Sequence, residues 1–120
     1  MSKNDALDIV RKKMLELLEA GKFTDAWSKQ QPVDWNPGKI MDPYSDIGLE
    51  FTHRSCWDFI GRLLRDKHPI EVTTLEKPPG EKGYEMVFET EPGYSDIYIK
   101  LQIGRDKLIG RSFHYSYRSK

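Results

Sequence analysis

From Asp96 to Tyr115 the chain alternates in a way that leaves little choice of fold. Asp96-Ile97-Tyr98-Ile99-Lys100-Leu101-Gln102-Ile103 is followed, after a short polar break, by Leu108-Ile109-Gly110-Arg111-Ser112-Phe113-His114-Tyr115. Side chains of a strand point to opposite faces in turn, so Ile97, Ile99, Leu101 and Ile103 share one face while Tyr98, Lys100 and Gln102 share the other. A hairpin of this kind needs a cover for its apolar face and leaves the polar face to solvent. Its register depends on the turn. A three-residue loop, Arg105 to Lys107, sets Ile103 opposite Ile109, Ile99 opposite Phe113 and Tyr98 opposite His114, matching apolar with apolar. A two-residue turn at Arg105-Asp106 shifts every pair by one and carries His114 to the isoleucine side. The first register is expected because it buries Ile109 and Phe113 with the isoleucines, although it turns Arg111 inward.

The cover comes from upstream. Leu7, Val10, Met14, Leu17 and Leu18 recur at helical spacing between Asp5 and Ala20, and Gly21 is a natural stop. Thr24 to Lys29 reads as a short helical turn with Ala26 and Trp27 inward. Gln30 to Leu49 is broken by Pro32, Pro37-Gly38 and Pro43 and reads as a long loop, its Trp35, Ile40, Met41 and Tyr44 lying across the surface. A second helix is expected from Ser55, with Ser55 and Asp58 at capping-box spacing, Trp57, Ile60 and Leu64 as its buried stripe, and Pro69 after its end. Strand patterns follow at Ile70–Leu75, Tyr84–Thr90, Asp96–Ile103 and Leu108–Tyr115. Helices first and strands later predict one α+β domain over residues 1–120. Its helical part spans about 5–66 and packs on one face of an antiparallel sheet of about four strands, spanning about 70–117.

Composition narrows the class. With 120 residues, 38% of them hydrophobic and 32% charged, one compact domain is expected. No apolar run approaches the roughly 20 residues that span a bilayer, and the first residues lack a secretory apolar core, so a cytoplasmic protein with no membrane partner is expected. The single cysteine, Cys56, has no partner for a disulfide or a zinc site and reads as a buried structural thiol. His53 and His68 have no ligand spacing to each other, and neither a metal nor a cofactor is called for. Nineteen basic and nineteen acidic side chains balance, which argues against indiscriminate nucleic-acid binding and leaves DNA an unexpected partner. The balance is uneven along the chain: seven acids face two lysines between Glu71 and Asp96, whereas the segment from Ile97 onward is net +5. Such a segment attracts phosphate locally.

If Met86 and Phe88 join the core, Glu85 turns to the polar face and joins Tyr98, Lys100 and His114. That mixture suits RNA cleavage by internal attack of a 2′-hydroxyl, which needs a base, an acid and a cation beside the phosphate. His114 and Glu85 would exchange the protons. Tyr98 would hydrogen-bond the phosphate or stack on a base, and Lys100, Arg111 or Arg62 would supply positive charge. Equally, alternating Tyr and Lys are ordinary residues of a solvent face.

Three short stretches resemble the MqsR-type toxins of bacterial toxin–antitoxin modules, within the RelE-like ribonuclease group. Trp57-Asp58-Phe59-Ile60 resembles that family's Asp-Phe-Tyr-Lys-Ser-Met helix, and Tyr84-Glu85-Met86-Val87-Phe88 its Trp-Gln-Asp-Val-Tyr strand. Asp96 to Leu101 with Ser112-Phe113-His114 is similar to its Tyr-(apolar)-Lys strand and closing Ser-Phe-Lys; Ala20 to Thr24 resembles its Ala-Gly turn. The resemblance covers about half the chain, from Trp57 to His114. It implies a RelE-like fold and a metal-independent endoribonuclease acting on mRNA and silenced by an antitoxin. The family's catalytic tyrosine falls on Tyr98, its closing basic residue on His114 and its strand glutamine on Glu85. The helix lysine is replaced by Gly61, with Arg62 next to it. Two other readings remain: a non-catalytic immunity or inhibitor protein whose acidic strands and exposed Trp35, Tyr44 and Tyr94 cover a basic partner, and a plain RNA-binding sheet in which Tyr98 and Tyr115 stack on bases.

Overall fold

The computed structural model describes residues 3–25, 34–75 and 79–116. Among these, two α-helices, α1 (Lys3–Glu19) and α2 (His53–Arg65), accompany five strands. The strands are β1 (Phe23–Asp25), β2 (Glu71–Thr74), β3 (Lys82–Phe88), β4 (Ile97–Ile103) and β5 (Leu108–Tyr115), in spatial order β1-β5-β4-β3-β2. The α+β class holds. The sheet, however, has five strands and is mixed, because β1 pairs in parallel with β5 while the other pairs are antiparallel. Thr24 therefore belongs to a strand, not to a helical turn; Ala26 to Lys29 lie outside the described residues.

Both helices follow from their apolar stripes. Leu7, Met14 and Leu17 of α1 and Cys56, Trp57, Phe59, Ile60, Leu63 and Leu64 of α2 are buried against Met86, Ile97, Ile99, Leu101, Leu108 and Phe113 of the sheet. Helix α1 ends where Gly21 takes φ +73° and the Lys22 N–H reaches the Leu17 carbonyl. Helix α2 starts earlier than expected. Its cap is Thr52, whose hydroxyl accepts from the Ser55 N–H at 3.0 Å, while the Ser55 hydroxyl accepts from the Thr52 N–H at 2.8 Å. It ends before Pro69 because Lys67 adopts φ +57° and the His68 N–H turns back to the Leu63 carbonyl.

The last hairpin uses both registers. Near the turn Ile103 pairs with Leu108, Gln102 with Ile109 and Leu101 with Gly110; beyond a bulge Lys100 pairs with Ser112, Ile99 with Phe113 and Tyr98 with His114. The residue that the bulge inserts is Arg111, so its side chain is not forced into the core. Leu108 takes the core position expected for Ile109, which is half-buried on the other face.

Trp35 is core, not an exposed contact residue. The stretch 34–36 runs along β5, with the Asn36 N–H donating to the Phe113 carbonyl and the Phe113 N–H to that of Asp34, each at 2.8 Å. This places the indole over Gly110, where an added Cβ would lie 2.4 Å from the ring. The rest of the proline-rich loop folds back on itself: the Phe51 N–H donates to the Ile40 carbonyl and the Asp42 N–H to that of Leu49. Met41, Tyr44, Ile47 and Leu49 are exposed on it. No described helix is long and apolar enough to cross a membrane.

Candidate functional site

With the helices on one face, the other face carries the even-numbered positions of β4 and the residues paired with them. Lys100 stands between Glu85 of β3 and Ser112 of β5, and Tyr98 between Val87 and His114. Glu85 and Tyr98 are diagonal neighbours, and the phenol reaches across: Tyr98 Oη donates to Glu85 Oε2 at 2.5 Å, the short distance expected of a hydroxyl on a carboxylate. On its other side the Tyr98 ring stacks with the His114 imidazole, centroids 5.2 Å apart and planes 28° apart. The His114 Nδ1 lies 2.8 Å from the Tyr115 carbonyl. A carbonyl only accepts, so Nδ1 carries the proton in that contact, and in the neutral ring the lone pair belongs to Nε2. Carboxylate, phenol and imidazole thus form a continuous row, all half-buried.

Cations border this row on one side only. Lys100 lies beside Glu85 and makes no ion pair within 4.0 Å among the described residues. Arg111, raised by the bulge, places Nη1 at 3.5 Å from Gln102 Oε1. Arg62 does not belong here. It sits on α2, in the layer beyond the core, with its guanidinium 4.1 Å over the Tyr44 ring. Tyr115 is also elsewhere: the alternation turns it from His114, and its hydroxyl accepts from the Met41 N–H at 3.1 Å.

On the β2 side a groove of about 820 Å³ opens, with Tyr98 and Glu85 in its wall and Glu71, Glu89, Asp96 and His68 around them. Glu71 pairs directly with Glu85 across the β2–β3 ladder, a like-charge pair that costs stability unless a cation lies nearby. His68 Nε2 meets the Val87 carbonyl at 2.7 Å, and so serves the edge of β3 where β2 has not yet begun. The acidic excess between Glu71 and Asp96 was visible in the sequence, but its gathering around Tyr98 was not, because it depends on the β2–β3 register. Neither His68 nor this groove was singled out by sequence reasoning.

Cys56 is fully buried in α2. Burial above all, and then the Asp25 and Asp42 carboxylates, push its thiol far above the ordinary range, so it stays protonated and is no nucleophile. Among the described residues no group of His, Cys, Asp and Glu is placed to hold a metal ion. Comparison with known proteins adds no relative: no family model, no curated protein and no solved structure matches the chain.

Proposed function

We propose that the open sheet face binds single-stranded RNA and cleaves it without a metal, as a RelE-like toxin of the MqsR type held in check by a cognate antitoxin. The observation that carries this reading is the row of Glu85, Tyr98 and His114 on one sheet face, in which Tyr98 touches both of the others, with Lys100 and Arg111 beside it. Glu85 takes the 2′-hydroxyl proton as that oxygen attacks phosphorus. The bond from phosphorus to the 5′-oxygen breaks, and His114 as imidazolium protonates the departing oxygen, leaving a 2′,3′-cyclic phosphate. Lys100 and Arg111 meet the charge that gathers on the phosphoryl oxygens, and Tyr98 holds Glu85 in place. Incubating the purified protein with a single-stranded RNA tests this. Cyclic-phosphate ends are expected, with a loss of roughly a hundredfold or more in His114→Ala and Glu85→Gln, the usual worth of a general acid or base. RNA left intact by the wild-type protein removes the proposal.

The groove favours a second reading, a non-catalytic module for a basic partner. Four carboxylates line it, and the Glu71–Glu85 pair is one that a partner's lysine or arginine would relieve. This reading gains if an oligolysine peptide binds in a salt-dependent way and Glu71→Gln weakens it. It fails if the peptide does not bind.

A further inference from the structure

We propose that β2, the outer edge of the sheet, takes up an extended basic segment of a partner protein as a sixth strand; this rests on the groove being the seat of a basic partner. β2 ends the order β1-β5-β4-β3-β2, and among the described residues no strand lies beyond it. The outward N–H and C=O groups of such a strand have no ladder to join. Edges are commonly guarded by lysine, proline or a bulge, and Glu71-Val72-Thr73-Thr74 has none of these. Its three β-branched residues favour an extended backbone, and Glu71, Val72 and Thr74 are exposed.

The register specifies what that segment must bring. On the polar face Ser112, Lys100, Glu85 and Glu71 lie in one row across β5, β4, β3 and β2. Lys100 flanks Glu85, but the row ends at Glu71, whose strand neighbour is another carboxylate and which makes no ion pair among the described residues. A lysine or arginine opposite Glu71 would close the row, with a cation on each side of the two acids. Its side chain would stand at the groove that Glu71 shares with Glu89 and Asp96. On the helical face the row Leu101, Tyr84, Val72 passes from fully buried to half-buried to 46% exposed, so it stops one apolar residue short of a cover. The matching segment therefore alternates basic with apolar residues. A second copy of β2 supplies no cation: residues opposite each other in an antiparallel pair share a face, so Glu71 would meet Thr73 or another Glu71.

The test titrates the ¹⁵N-labelled full chain at low salt with an acetylated, amidated peptide of four Lys-Val repeats. Its analogue methylated on every backbone nitrogen keeps the charges and side chains but has no backbone N–H to donate. Saturable binding of the parent peptide is expected, with slowed hydrogen exchange of the β2 amides. The methylated analogue should bind about tenfold more weakly or worse, because several backbone hydrogen bonds are lost. Glu71→Gln, at an exposed position outside the core, should weaken the parent peptide about threefold, the scale of one cross-strand charge pair. Equal affinity of the two peptides, or β2 amides that exchange as fast as before, overturns strand addition and leaves a basic partner held in the groove by charge alone. If neither peptide binds, both the added strand and the basic partner are removed.

Discussion

Gly110 and Trp35 are matched to each other. The indole lies where any side chain at 110 would stand, and three of its ring atoms come within 3.0 Å of a Cβ built there. Gly110→Ala is therefore expected to destabilise the protein by about 1–3 kcal/mol through overpacking, read as a lower midpoint in urea. An unchanged midpoint would mean that the ring moves aside freely. Nothing in the local sequence announces this pairing. Trp35 sits in a proline-rich stretch without periodicity, and its burial depends on a parallel contact with a strand some seventy-five residues later in the chain. By contrast Glu85, Tyr98 and His114 were legible, because period-two alternation alone assigns a strand residue to a face. Their hydrogen bond and ring contact required only the register of β3 to β4 and of β4 to β5. Arg62 was misplaced because it was chosen for its charge, although a helix that packs on the apolar face of the sheet cannot bring it to the polar row.

At the level of elements, the type of each long segment could be read and its ends could not. Helix α2 begins at His53 because Thr52 and Ser55 satisfy each other's backbone N–H groups, whereas the spacing of Ser55 and Asp58 offered a box of similar form one turn later. Thr52→Ala should cost about 1 kcal/mol, the usual worth of a cap, while Asp58→Ala at an exposed position should cost far less. Denaturant unfolding of the two variants separates them. The β4–β5 hairpin shows why register was ambiguous: both alternatives had apolar matches, and the chain uses one on each side of Arg111. A bulge absorbs the one-residue difference, keeps His114 beside Tyr98 and removes the cost of an inward arginine. Strand β1 escaped notice because three residues, Phe23–Asp25, are too few to show a period.

Across the whole molecule the two faces of the sheet divide the work: one packs α1 and α2, and the other carries the polar row and groove. Cys56 belongs wholly to the first, and its chemistry reports on the stability of the fold. Its thiol is fully buried and held protonated, while in the unfolded chain a cysteine ionises near about 8.5. The unfolded state therefore releases a proton that the native state keeps once the pH passes that value. A group whose native pKa is raised contributes its full stability below the unfolded pKa and loses it as the pH climbs toward the native one, so stability must fall in alkaline solution. By pH 10 the loss assigned to this one thiol is about 2 kcal/mol, from a slope of about 1.4 kcal/mol per pH unit. Other groups also titrate there, so the measurement is a difference. Unfolding free energies of wild type and Cys56→Ala are compared at pH 7 and pH 10. The variant starts lower because of the cavity it leaves, yet the gap between the two proteins should narrow by about 2 kcal/mol at the higher pH. A constant gap would mean that the native thiol ionises as readily as the unfolded one, and that the helical layer admits water as far as α2.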